Sequence, residues 1–171
     1  HGDQTTPDRV VLTQPTGTSA VQAHAWAQVM DQARRVAAHL QAKGVQPGDR
    51  VALINKNTAW WWLTGFAIWL AGGVLGPLRP TLAVSTIRQI LIDSEAKLRV
   101  IGKVDGWAAM RPGVRQRLHC ITTPLAPPPG TLPSGTEAGA SSLARTQPLA
   151  GQPVCEGTRW PPSCRPPAQR A

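Results

Sequence analysis

The chain has 171 residues, enough for one domain with an apolar core and too few for two domains of ordinary size. Apolar residues make up 42% of it and charged residues only 16%, which excludes a wholly disordered protein. Most of the net charge of +9 lies in residues 99–171, where nine basic residues stand singly beside three acidic ones, so no nucleic acid is expected as a partner.

A short strand and an amphipathic helix are the first elements predicted in chain order. Residues 9–12 form the strand, and residues 16–19 have the composition of a turn. Apolar residues then recur at helical spacing and predict a helix over residues 26–43. Gly44 follows directly, and its freedom to adopt a left-handed conformation suits it to end this helix.

A second strand and a second helix come next. Residues 51–54 (VALI) are apolar throughout, as in a strand that is covered on both faces. Residues 55–57 are predicted to supply the N-cap of a helix that starts near Thr58 and is apolar on nearly every side, which predicts burial. The glycines at its end lead into a third strand over residues 74–78.

A third helix is predicted to begin at Ser85 or Thr86 and to end at Glu95, and residues 98–102 form the following strand. Strands and helices therefore alternate along the chain with short connections. This order is typical of a mostly parallel sheet with helices on both faces, and the predicted fold class is α/β.

Proline divides the chain into a folded and an irregular part. Eleven of the 17 prolines fall within residues 124–167, which therefore cannot hold helix interiors or central strands. We expect an α/β part over residues 1–123, a Pro/Gly-rich loop over residues 124–154 and a disordered tail over residues 155–171.

The uncharged segment 58–78 raises the question of a membrane. Its 21 residues, flanked by Lys56 and Arg79, could cross a bilayer. Glycines and a proline interrupt it, so the continuous helix has about 14 residues, the length of a core helix. The alternative left open is a small membrane-associated or interaction protein that is anchored by residues 58–78.

No constellation of catalytic residues can be identified in this sequence. The glycines at 72, 73 and 76 follow a helix instead of opening one, so they predict a helix stop rather than a phosphate loop. Asp105 is predicted to lie in a turn or to cap a helix. We therefore predict no catalytic, cofactor-binding or metal-binding residue.

The histidines and cysteines add no site. The spacing of the four histidines and three cysteines is typical of neither metal ligands nor a disulfide framework. We expect reduced cysteines, no secretory signal and a cytoplasmic location. These residues are His1, His24, His39, His119, Cys120, Cys155 and Cys164.

Three segments nevertheless resemble, in order and spacing, the N-terminal part of the AMP-forming acyl-CoA synthetases of the adenylate-forming ligase family. They are residues 5–15, 25–57 and 67–107. The resemblance is greatest to the bacterial long-chain fatty acid type. Two positions depart from the family pattern. Ala25 replaces a Ser or Thr, and the loss of this N-cap side chain lowers stability by about 1 kcal/mol. Arg79 replaces an aromatic residue.

The resemblance implies an ATP-dependent adenylation of a carboxylate, followed by transfer of the acyl group to coenzyme A. ATP, Mg²⁺, CoA and a fatty acid are therefore the implied cofactors and substrates of the parent enzyme. The family's phosphate loop, its metal-binding motif and its catalytic lysine all lie beyond the region of resemblance. We accordingly expect this chain to bind no cofactor by itself, to be inactive alone, and to expose apolar surface that favours peripheral membrane contact or self-association.

The last residues of the chain are compatible with that phosphate loop in another reading frame. If the reading frame is displaced by one base after Val154, the codons permitted for residues 159–171 allow the sequence LATIMxTSGTTG. TSGTTG is the usual form of the family's phosphate loop. We therefore expect that the tail, residues 155–171, is the product of a frameshift and that its basic charge has no functional meaning.

Overall fold

The computed structural model describes residues 5–17, 20–114 and 118–139. An antiparallel hairpin comes first, formed by β1 (Val10–Pro15) and β2 (Val21–Ala25). β1 runs further than the predicted strand 9–12, and Pro15 ends it opposite Val21. β2 was not predicted, because its sequence VQAHA has one β-branched residue and its stability comes from pairing with β1.

Helices and parallel strands alternate through the rest of the chain. They are α1 (Trp26–Ala42), β3 (Arg50–Ile54), α2 (Ala59–Leu70), β4 (Val74–Leu78), α3 (Val84–Asp93), β5 (Leu98–Ile101), α4 (Trp107–Met110), β6 (His119–Thr122) and β7 (Glu137–Ala138). Short 3-10 helices cover Arg111–Gly113 and Pro129–Thr131.

Five of these strands form one sheet in the order β4-β3-β5-β6-β7, and every neighbouring pair is parallel. In the register of the sheet, Leu53 of β3 lies beside Pro77 of β4 and Val100 of β5. β6 and β7 were not predicted as strands, since they have only four and two residues. The predicted α/β class with a mostly parallel sheet is confirmed.

Two apolar clusters cover the two faces of this sheet. Leu53 and Val100 belong to the cluster that includes most of the buried apolar residues of α1 and α2. Ile54 and Ile101, the next residues along the same strands, belong to the cluster of α3 and α4. Because successive side chains of a strand point to opposite faces, the helices lie on both sides of the sheet, as the sequence predicted.

α1 agrees with its prediction at both ends. It ends at Ala42, and Gly44 has a φ of +86°, the left-handed conformation expected there. At its start Ala25 offers no side-chain acceptor, and Gln28 Oε1 accepts the backbone N–H of Ala25 at 3.0 Å. Gln28 thus makes one bond of a capping box, whereas the bond that a Ser or Thr side chain at position 25 would accept is missing.

α2 corrects two predictions. Its N-cap is Thr58, whose Oγ1 accepts the Trp61 N–H at 3.2 Å, and not a residue of the segment 55–57. The predicted burial is wrong for the outer face of this helix, where Trp62 is 46% and Trp69 55% exposed. The reason is positional, because α2 forms an outer layer of the fold and only its inner face meets α1 and the sheet.

The ends of α2 and α3 are set by backbone conformation. Gly72 has a φ of +82° and stops α2, as predicted. α3 begins at Val84, earlier than the predicted Ser85 or Thr86, and ends at Asp93. Its end precedes the predicted Glu95 because Glu95 has a φ of +46°, which no right-handed helix contains.

One element of the structure lies inside a segment that was predicted to be a loop. β7, Glu137–Ala138, lies within the predicted loop 124–154 and adds an edge strand to the sheet. Residues 140–154 and the predicted tail, residues 155–171, lie outside the described residues.

Candidate functional site

The carboxyl ends of the parallel strands form the candidate functional site. In open α/β sheets, ligands bind at this edge, beyond the last residues of the strands. β3, β5 and β6 end here at Ile54, Ile101 and Thr122, and these strands lie side by side. The residues that follow them therefore decide which groups the edge presents.

Asn55 joins the ends of β3 and β5. Its side chain is buried, its Oδ1 accepts the backbone N–H of Lys103 at 2.8 Å, and its Nδ2 donates to Thr58 Oγ1 at 3.3 Å. Gly102 lies so close that a Cβ atom there would be 2.3 Å from the Asn55 Nδ2 atom. The Asn55 amide therefore links the ends of β3 and β5 and fixes the spacing between them.

The N-terminus of α2 is occupied by side chains of the protein itself. Gln14, buried on β1, accepts the Ala59 N–H through its Oε1 at 3.0 Å, and Thr58 caps the Trp61 N–H. Two of the N–H groups that could hold an anion are therefore already bonded. No sequence signal identified Gln14, because its partner lies 45 positions further along the chain.

Lys56 and Asp105 form an exposed ion pair at the same edge. The hydrogen bond from Lys56 is the main cause that lowers the pKa of the Asp105 carboxyl. The prediction that Asp105 lies in a turn is confirmed, whereas the cap of α4 is Gly106. An exposed pair of this kind contributes little to stability and leaves the carboxylate engaged.

A small apolar cavity lies behind this edge, between the sheet and the two helices of one face. Its volume of about 20 Å³ has room for about one water molecule and not for an acyl chain. Its lining includes Val36, Leu40, Trp60, Leu63, Val100 and Ile121.

The histidines of the described residues occupy two places. His24 is buried with its ring 5.7 Å from that of Trp60, and burial lowers its pKa. His39 and His119 both approach the Glu137 carboxylate, at 3.4 and 3.6 Å from their Nε2 atoms. Within residues 5–17, 20–114 and 118–139, no group of three or more His, Cys, Asp or Glu side chains is arranged to hold a metal ion.

Glu137 connects the edge strand β7 to the end of α1. Lys43 donates to Glu137 Oε1, and this hydrogen bond is the main cause that lowers the pKa of Glu137. Burial, outweighing the nearby Glu137 carboxylate, lowers the pKa of His39. The cluster therefore favours an ionised glutamate beside neutral His39, with Lys43 as its principal cation.

This cluster predicts a stability that depends on acid. Because the pKa of Glu137 is lower in the folded protein, its contribution is present above the ordinary glutamate pKa of about 4.3 and is lost as the pH falls through the folded value. We expect Glu137→Gln to flatten the fall in unfolding free energy below that pH, measured by urea denaturation. The control is Glu95→Gln, since the Glu95 side chain is 81% exposed and solvent screens its ion pair with Arg50. An unchanged pH dependence in Glu137→Gln would contradict the assignment.

The uncharged segment 58–78 is divided between three elements. It contains α2, the turn at Gly72 and the strand β4. Across the described ranges of the chain, none of the helices has both the length and the apolar character that crossing a membrane requires.

Comparisons with known proteins agree with the resemblance seen in the sequence. Long-chain-fatty-acid–CoA ligase FadD15 of Mycobacterium bovis is 33% identical over 122 residues, which are 67% of this chain and 20% of the relative. Feruloyl-CoA synthase of an Amycolatopsis species is 37% identical over 75 residues, 44% of this chain and 15% of the relative. The chain thus spans about one fifth or less of the length of these curated relatives.

A solved structure shares the fold. The crystal structure of Brucella canis acyl-CoA synthetase superposes with a TM-score of 0.71 at 23% identity, over 86% of this chain and 27% of that one. The sequence itself matches the AMP-binding enzyme family over residues 1–158. The chain therefore belongs to the family of AMP-binding enzymes.

Proposed function

We propose that this chain forms the N-terminal α/β part of a long-chain fatty acid–CoA ligase. The observation that carries this proposal is the 33% identity to FadD15 over 122 residues. The complete enzyme would join a fatty acid to ATP as an acyl-adenylate with release of pyrophosphate, and would then transfer the acyl group to the CoA thiol. ATP, a fatty acid and CoA are its proposed substrates.

The role proposed for this part is to hold one wall of the enzyme rigid. Support comes from the carboxyl edge, where Asn55, Thr58 and Gln14 are used to bind strand ends and a helix start. The Asp105 carboxylate at this edge does not fit a Mg²⁺ ion, which needs free oxygen ligands, since Lys56 engages it. We derive no catalytic step through a metal in this part of the enzyme.

We further propose that residues 1–171 alone do not adenylate a fatty acid. No TSGTTG-type phosphate loop occurs in the sequence as it stands, and adenylation requires N–H groups and a cation directed at the phosphates. We expect the purified chain to show no fatty-acid-dependent exchange between ATP and pyrophosphate. Full-length FadD15 assayed beside it is the positive control, and exchange by the chain alone would contradict the proposal.

The displaced reading frame offers a direct test of the ligase assignment. We propose that the coding DNA after Val154 continues in the other frame through TSGTTG into a lysine-containing sequence. The frame-restored protein is expected to form acyl-CoA from a long-chain fatty acid, ATP and CoA, while the unrestored chain serves as the control. A displaced frame that soon meets a stop codon, or a restored protein without ligase activity, would overturn the assignment.

The cytoplasmic location and the alternative of a membrane-associated or interaction protein stay predictions. The exposed side chains of Trp62 and Trp69 favour some contact with a partner surface. The exposure of these two side chains does not depend on catalysis, so binding to a partner surface and enzymatic activity can be tested separately.

A further inference from the structure

The hairpin β1–β2 depends on α2 for its position. A two-stranded hairpin is at best marginally stable in water by itself, so it needs a surface to pack against. Two contacts join its strands to the start of α2. Gln14 of β1 accepts the Ala59 N–H at 3.0 Å, and the ring of His24 on β2 meets the ring of Trp60. The hairpin thus covers the first two residues of α2, at the carboxyl edge of the sheet.

His24 is a buried titratable side chain within this contact. The residue is 4% exposed, and its ring meets Trp60 edge-on at a centroid distance of 5.7 Å. Among the residues that the structure describes, its buried Nε2 atom has no hydrogen-bond partner. A neutral imidazole can occupy such a place, whereas a buried imidazolium without an acceptor is costly.

No charged side chain shares the contact with His24. β1, β2 and α2 contain no Asp, Glu, Lys or Arg. The charged residues nearest to these elements are Arg9 before β1, Asp31 in α1 and Lys56 before α2. Burial is the cause that lowers the pKa of His24, and no neighbouring charge opposes it. A proton on His24 would therefore have no counterion in the docked hairpin.

We infer that the hairpin is an acid-sensitive cover of the start of α2, which stays docked while His24 is neutral and is released when His24 is protonated. The imidazolium would leave Trp60 for solvent, where water can hydrate it. Because Gln14 lies on the paired strand, the same movement would withdraw its amide oxygen from the Ala59 N–H.

The open end of the hairpin provides the hinge. The N–H groups of Trp26 and Ala27, at the start of α1, donate to the carbonyl oxygens of Arg9 and Pro7, both at 3.0 Å. These backbone bonds contain no titratable group, so a change of pH leaves them intact. The hairpin can therefore separate from α2 while its base stays attached to α1.

Trp60 connects the hairpin to the candidate functional site. Besides meeting His24, it lines the small apolar cavity behind the carboxyl edge. Release of the hairpin would remove the support from one side of this ring and would free the Ala59 N–H. The inference goes beyond the proposed function and does not rest on the ligase assignment.

The lowered pKa of His24 defines the pH range of the release. Its ordinary value is about 6.5, so docking has its full stability above that pH and loses stability as the pH falls from there through the folded value. At pH 5.5, one unit lower, a single proton can change the docking equilibrium by at most about tenfold. This range lies above that of Glu137, which starts near the ordinary glutamate pKa of about 4.3.

The test is backbone hydrogen exchange of the full chain at pH 7.5 and 5.5, read by NMR and corrected for the intrinsic exchange rate at each pH. We expect the protection factors of Ala59 and of the β1–β2 pairing to fall about threefold to tenfold at pH 5.5. The amides of β3 and β5 are the internal reference and should stay within about twofold. Titration of the His24 ring signals should give a pKa below 6.5.

A matched pair of variants assigns the effect to His24. His24→Phe keeps an aromatic ring against Trp60 but cannot be protonated, so the hairpin should be equally protected at both pH values. His119→Phe makes the same chemical change on β6, where the side chain is 36% exposed, and should leave the response of the hairpin unchanged. Protonation of His39 would act on its neighbour Glu137 and is read separately at β7.

Three results would overturn the inference. They are equal protection of the hairpin at both pH values in the unmodified chain, a loss that extends equally to β3 and β5, and a loss that persists in His24→Phe. The first two need no variant, so the test holds even if His24→Phe does not fold. Hydrogen exchange measures no enzymatic activity, and its failure leaves the ligase assignment to be judged by the frame-restored protein alone.

Discussion

Gly102→Ala is expected to lower the free energy of unfolding by about 3 kcal/mol, because the added methyl group has no space. Its Cβ would lie 2.3 Å from Asn55 Cγ and Nδ2 and 2.5 Å from Oδ1. Asn55 cannot simply turn away, since it is buried and bonded to the Lys103 N–H and to Thr58. Displacing it leaves buried polar groups without partners, which adds to the steric cost. Urea denaturation of the full chain measures the change.

Two comparisons separate the clash from a general effect of replacing glycine. Gly130→Ala is the control, since nothing lies within 4 Å of a Cβ at that position and its φ is not in the left-handed region. We expect a change below about 0.5 kcal/mol there. Asn55→Gly removes the side chain that Gly102→Ala strikes, so the double variant should be at least about 1 kcal/mol more stable than the sum of the single effects predicts. If the two changes in unfolding free energy simply add, the proposed clash between the added methyl group at position 102 and the Asn55 side chain is contradicted.

The close contact between Asn55 and Gly102 is also expected to affect the activity of the proposed enzyme. Asn55 and Gly102 follow adjacent strands at the edge where an α/β sheet presents its ligand groups. A shift of these strand ends would change the wall that this part contributes to a complete ligase. Loss of ligase activity in a frame-restored Gly102→Ala protein is therefore expected to accompany its loss of stability.

The strongly patterned elements could be predicted from sequence. The helical spacing over residues 26–43 located α1, and the apolar run 51–54 located β3, because in each case the burial pattern lies within one contiguous segment. The alternation of such segments was enough to predict the parallel sheet and its two covered faces. Local pattern and tertiary structure agree at these places.

The features that sequence did not reveal depend on distant partners. β2 exists through its pairing with β1, and Gln14 caps α2 from 45 positions away. The burial of α2 was predicted wrongly for another reason. A helix that is apolar on nearly every side has no polar face to indicate which side is exposed to solvent. Only the packing of α1 and the sheet against its inner side distinguishes Leu63 from Trp62.

Leu53→Ala is expected to destabilise the chain by about 3 to 4 kcal/mol, the range of a large cavity in a well-packed core. Leu53 is fully buried on β3, an inner strand of the sheet, and belongs to the cluster that joins the sheet to α1 and α2. Its neighbours across the strands are Pro77 and Val100, which lie in the two strands that pair with β3 on either side. Because these rigid strands surround the site, the cavity left by the missing atoms cannot collapse.

Smaller and more exposed changes make this expectation falsifiable. Leu53→Val should cost about 1 kcal/mol, so it reports on the same site if Leu53→Ala does not fold. Val21→Ala, at a residue 58% exposed on β2, should stay within about 0.5 kcal/mol of the unmodified chain. The slope of the urea transition should be unchanged in all three variants. A loss below about 1 kcal/mol for Leu53→Ala would mean that α1 and α2 do not pack on this face, and the rigid wall proposed for the ligase would lose its basis.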